Sequence, residues 1–123
     1  MKGNAINWFE IYVQDMERAK RFYESVFKVQ LEKLEGTELD MWGFPSDMNQ
    51  YGATGALTKM EGMPSGGNST LIYFRCDDCA IEAARVKDAG GQIVREKFSI
   101  GQHGFIALAT DSEGNMIGLH SMQ

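Results

Sequence analysis

A-I-N-W-F-E-I-Y-V-Q-D-M-E-R-A-K-R-F-Y-E-S-V-F, Ala5 to Phe27, changes its hydrophobic period halfway along. Up to Val13 the residues alternate, with Ile6, Trp8, Glu10 and Tyr12 on one face and Phe9, Ile11 and Val13 on the other. Alternation with β-branched and aromatic side chains predicts a strand. Asp15 is suited to cap a helix, because its carboxylate can accept from the orphan N–H groups of a first turn. From there Met16, Ala19, Phe22, Tyr23, Val26 and Phe27 recur at helical spacing. Glu17, Arg18, Lys20, Arg21 and Glu24 fill the wet face of that helix.

Outward from this stretch the pattern continues with strands near 30–34, 38–44 and 54–60, separated by Gly36 and the turn-rich Pro45 to Gly52. Met60 to Ser69, rich in Gly, Pro and Ser, predicts a linker. The programme then repeats. Thr70 to Cys76 alternates as a strand, Asp77 or Asp78 caps a helix running to about Ala89, and Gly90-Gly91 stops it. Further strands follow near 92–97, 104–110 and 115–121. In the last, Met116, Gly118 and His120 alternate with Ile117, Leu119 and Ser121. Each half is therefore strand, helix, three strands: modules at about 1–60 and 70–123 in a single domain, joined by a linker at about 61–69. One helix covers only one face of such a sheet. Two units side by side can join into a curved trough with helices outside and a concave inner face for a ligand.

The 123 residues suffice for one domain with a core of its own. A composition 43% hydrophobic and 24% charged is that of an ordinary globular protein. A net charge of −5 with no Lys/Arg stripe argues against nucleic acid, and the short apolar runs argue against a membrane span. The opening Met-Lys-Gly-Asn reaches strand-like sequence at once, so no secretion signal and a cytoplasmic address are expected. Cys76-Asp77-Asp78-Cys79 has redox spacing, but two carboxylates between the thiols disfavour a thiolate. Two buried small residues at a strand-to-helix junction are the expected reading.

Three segments together resemble the vicinal oxygen chelate superfamily of glyoxalases, extradiol dioxygenases and bleomycin- and fosfomycin-resistance proteins. They are EIYVQDMERAKRFYESVF, YFRCDDCAIEAARVKDAGG and DSEGNMIGLH. The resemblance covers essentially the whole chain. It implies an α+β fold of two βαβββ modules forming a U-shaped mixed sheet with helices on the outside, and a homodimer. Enzymatic members bind a divalent metal through His and Glu at four inward-facing strand positions. Carried over, those positions are Trp8, a residue at or near Ala56, Leu71 and Gly118. None can donate a side-chain lone pair to a metal, so no metal and no cofactor are expected. The resemblance thus implies a member without the usual ligands, with Gly118 where a carboxylate would stand.

If Trp8, Leu71 and Gly118 face inward, strand parity turns Glu10, Tyr12, Tyr73, Arg75, Met116 and His120 inward too, and Thr58 with them. Glu10 and His120 can pair as base and acid. They can also supply a displaced metal site with His103, or simply satisfy each other. Trp8, Tyr12, Tyr73, Arg75, Met116 and Gly118 are the expected ligand-binding residues, with Arg75 suited to a carboxylate or phosphate. Trp42 and Phe44 share a strand face and are expected in the core or at an interface, or as a stacking wall. Loop methionines Met48, Met60 and Met63 suit an adaptable rim.

The function expected is metal-independent binding of a small organic molecule in the trough, in a resistance or sequestration role. A lyase, isomerase or dioxygenase-type enzyme with a non-standard site is the first alternative. A non-catalytic interaction protein is the second.

Overall fold

Asp15 and Asp78 each start a helix, and each helix follows the first strand of a module. In this computed structural model, which describes residues 3–123, the first module runs β1 (Trp8–Tyr12), α1 (Met16–Phe27), β2 (Glu32–Lys33), β3 (Asp40–Gly43) and β4 (Thr54–Lys59). The second runs β5 (Ile72–Arg75), α2 (Cys79–Arg85), β6 (Gln92–Ser99), β7 (Phe105–Thr110) and β8 (Met116–Ser121). Asp15 accepts the N–H of Arg18, and Asp78 that of Ala80, so both N-caps form as the sequence predicts. The stripe Met16, Ala19, Phe22, Tyr23 and Val26 is buried. The second helix is shorter than the expected run to Ala89. Beyond Arg85 the chain continues in hydrogen-bonded turns, with Ala89 N–H donating to Arg85 O and Gly91 N–H to Val86 O. Gly90, at φ 105°, turns the chain there, where an L side chain would be strained.

The strands form two four-stranded mixed sheets of the same order, β1-β4-β3-β2 and β5-β8-β7-β6. In each, the first strand pairs parallel with the last and the other pairs are antiparallel. Among the described residues β1 and β5 share no ladder hydrogen bonds, so the two sheets are separate. What joins them is one core. Ile11, Val13, Phe22, Tyr23, Val26 and Leu57 of the first module cluster with Val86, Ala109 and Ile117 of the second. Phe74 of β5 lies 4.6 Å from the Phe27 ring, 5.7 Å from Tyr23 and 6.0 Å, edge-on, from Phe9. Fully burying each such side chain is worth about 1.5–3 kcal/mol, so neither module could keep this core alone.

A polar clamp adds to it at the turn between β7 and β8. Glu113, whose side chain has no exposed surface, accepts from the backbone N–H of Gln14 and Asp15 at 2.9 and 2.8 Å. It also takes a bidentate pair of bonds from Arg18 at 2.6 and 3.0 Å. Buried Asp111 accepts the Tyr23 hydroxyl at 2.6 Å, and the Asn115 side chain donates to the Tyr12 carbonyl. Burial opposes the Glu113 charge, but Arg18, the two N–H groups and the Ser112 hydroxyl outweigh it and leave its pKa at about 2.

Cys76 and Cys79 are both buried and free. Burial, then the Glu82 carboxylate, pushes the Cys76 thiol up to about 12, so it stays protonated at neutral pH. Among the described residues no helix is long and apolar enough to cross a membrane.

Candidate functional site

The face of β1 turned away from the core carries Trp8, Glu10 and Tyr12, while Phe9 and Ile11 pack inward. In a parallel pair, residues in register point the same way. Trp8, Glu10 and Tyr12 therefore share their face with Thr54, Ala56 and Thr58 of β4. Tyr73 and Arg75 share theirs with Gly118 and His120 of β8.

Between the two sheets lies an open cavity of about 900 Å³. Trp8, Glu10, Tyr12, Tyr73 and Met116 line it. Trp8 and Tyr73 keep 41% and 47% of their surface, so the aromatic walls are accessible. Arg75, Gly118 and His120 do not line it. Arg75 reaches the opposite module, donating to the Tyr51 carbonyl at 3.2 Å with its guanidinium 5.4 Å from the Tyr51 ring. A Cβ on Gly118 would overlap the ring of Tyr73, so that ring covers the glycine. The structure thus gives the strand glycine a packing reason.

Glu10 and His120 are not joined to each other. The two Glu10 oxygens accept the Trp8 indole N–H at 3.2 Å and the Tyr12 hydroxyl at 3.0 Å. His120 Nε2–H donates to the His103 carbonyl at 2.7 Å. The His103 side chain is exposed on a 3-10 turn, Gly101–His103.

The positions where enzymatic members of the resembled superfamily hold a metal do not fit one here. Trp8, Ala56 and Leu71 have no suitable donor, and the Tyr73 ring fills the space over Gly118. Moving one register step along β4 does not help. The Thr54 hydroxyl donates to the Phe44 and Pro45 carbonyls, and Thr58 is fully buried. Among the described residues no three His, Cys, Asp or Glu side chains converge to hold a metal ion.

Trp42 and Phe44 point away from the cavity. Trp42 lies under the Lys20 ammonium, 3.3 Å from the ring centroid, and Phe44 packs on Tyr23. Of the loop methionines Met63 lines the cavity, while Met48 is 97% exposed.

Apart from Met63, the residues that sequence reasoning missed are those of the segment before β5. Pro64, Gly66 and Asn68 join Met63 in lining the cavity, so the expected linker is one of its walls. Its backbone and side chains are tied to the second module. The Ser65 hydroxyl donates to Glu113 O, the Gly66 N–H to the Asn115 side chain, and Asn68 exchanges bonds with the Met116 backbone. The only signal in the sequence was the polar residues Ser65 and Asn68 among the glycines.

The family model for "Glyoxalase/Bleomycin resistance protein/Dioxygenase superfamily" matches residues 5–119. CFP32 of Mycobacterium tuberculosis, provisionally named a glyoxylase, is 28% identical over 130 aligned positions. The match covers 92% of this chain but 44% of that protein, so the chain spans less than half the length of the curated relatives it matches. Among solved structures, TnmS3, an antibiotic binding protein from Streptomyces sp. CB03234, superposes with a TM-score of 0.69 at 25% identity over 98% of both chains. A glyoxalase/bleomycin resistance protein from Albidiferax ferrireducens superposes at 0.73 with 20% identity, over 94% of this chain and 98% of that one. The match over 5–119 and the doubled strand-helix-three-strand topology establish that the chain belongs to the glyoxalase/bleomycin resistance protein/dioxygenase superfamily.

Proposed function

We propose that this chain is a metal-independent, glyoxalase-like binding protein that holds a small organic molecule in the cavity between its sheets. Its role is sequestration or resistance rather than turnover, as a cytoplasmic homodimer. One observation carries the reading. An accessible, aromatic-walled cavity of about 900 Å³ lies beside strand positions that offer a metal no lone pairs. Trp8, Tyr12, Tyr73 and Met116 form the binding wall. The likeness to TnmS3, an antibiotic binding protein, supports binding without chemistry. The glyoxylase name of CFP32 favours a second reading, an isomerase- or lyase-type enzyme.

Titration of intrinsic tryptophan fluorescence with flat aromatic molecules, before and after chelator treatment, separates the two. Saturable binding of one molecule per cavity, indifferent to chelator, is expected. Stoichiometric transition metal in purified protein, with binding or turnover that a chelator abolishes, would transfer the case to the enzyme. Sedimentation analysis tests the homodimer.

A further inference from the structure

Resting on that small-molecule reading, we infer that the cavity selects organic cations: flat, apolar molecules carrying an amine or amidinium group that docks on Glu10. Glu10 is the sole charged side chain among the described residues that line the cavity. Its carboxylate is held in place from both sides, by the Trp8 indole N–H on one oxygen and the Tyr12 hydroxyl on the other. Both donors sit on the same strand face, two residues away in either direction, so strand geometry itself builds the clamp. Neither donor is a cation. Among the described residues Glu10 has no ion pair, so its negative charge stays uncompensated within the cavity.

A carboxylate has about four lone-pair sites, and the two bonds leave the others for a ligand. Hydrogen bonding to Glu10 pushes the Tyr12 phenol above its ordinary value, so the hydroxyl remains a donor throughout the neutral range. Trp8, Tyr12 and Tyr73 in the cavity lining act in the same direction for a ligand that reaches their ring faces, because an aromatic ring attracts a cation to its face. The net charge of −5 adds a long-range field of the same sign. An anionic ligand would meet the opposite of each. The guanidinium that could have received one, Arg75, lies off the cavity and is engaged by Tyr51. Glu10 is thus a recognition group, not one half of an acid–base pair.

Three acridines of one shape and different charge test this by isothermal titration calorimetry at neutral pH: the cation proflavine, neutral acridine and an acridine carboxylate. Proflavine should bind about tenfold more tightly than acridine, with the carboxylate weakest, and added salt should narrow the spread. In Glu10→Gln the preference for the cation should fall below about threefold, and in Glu10→Lys it should turn toward the carboxylate. Because Glu10 is exposed, neither change threatens the fold. Equal affinity for all three, or a cation preference that survives Glu10→Gln, overturns the inference and leaves the small-molecule reading intact. Failure of all three to bind overturns both.

Discussion

Replacing Glu113 by Gln removes the charge of the clamp that joins the second module to the start of α1. Glu113 accepts two backbone N–H groups and a bidentate guanidinium from the first module. Its pKa in the folded chain is about 2, against 4.5 for an ordinary glutamate. At about 1.4 kcal/mol per pH unit, that difference is worth about 3 kcal/mol at neutral pH. Arg18 is the first of the groups that lower it but is half-exposed, so solvent screens its share, and the backbone N–H groups of Asp15 and Gln14 add to the effect. Because the folded value is the lower one, the stability is fully present above pH about 4.5. It drains away as pH falls toward about 2. Glu113→Gln should therefore lower the melting temperature at neutral pH by about 10 °C. Its unfolding free energy should also lose the acid-side slope that the wild type shows across that window. Urea unfolding followed by circular dichroism, repeated down the acid range for both proteins, measures both quantities. Parallel pH profiles, or a neutral-pH difference below about 0.5 kcal/mol, would refute the argument that this carboxylate holds the modules together.

Gly118→Ala puts a methyl group into the ring of Tyr73 and should cost about 1–3 kcal/mol. Combining it with Tyr73→Ala should recover part of that loss in a double-mutant cycle, whereas strictly additive effects would separate the two residues. Thiol labelling of the native protein at neutral pH should be slow at Cys76, which is buried and held protonated with a pKa of about 12. Both cysteines should react only on unfolding. A fast-reacting thiol in the folded state would contradict the burial of the C-x-x-C segment.

Much of this molecule was legible in one dimension because its strongest signals are local. The alternation of residues 5–13, the capping aspartates Asp15 and Asp78, and the repetition of the strand-helix-three-strand programme follow from backbone geometry within about a dozen residues. The same letters show that Trp8, Ala56, Leu71 and Gly118 cannot ligate a metal, because that depends on side-chain chemistry alone. Strand parity also groups Glu10 with Tyr12 on one strand face and Tyr73 with Arg75 on another, and the sheet register puts His120 beside Arg75.

Parity fixes the face on which a side chain lies and says nothing of its distance from a cavity or of its partner. Arg75 and His120 lie on the predicted face yet bond to Tyr51 and His103, and Glu10 bonds to its own strand neighbours. The clamp at Glu113 joins residues 95 to 99 positions apart, and no local pattern encodes such a pairing. Residues 63–68 read as a linker because glycine and serine report turn-forming freedom, while their packing against Asn115 and Met116 comes from elsewhere in the chain. The sequence by itself determined the elements, their faces and the missing ligand chemistry. Only tertiary packing, which brings distant segments within a few ångströms, decided which of those faces meets an open cavity and what fills the space above Gly118.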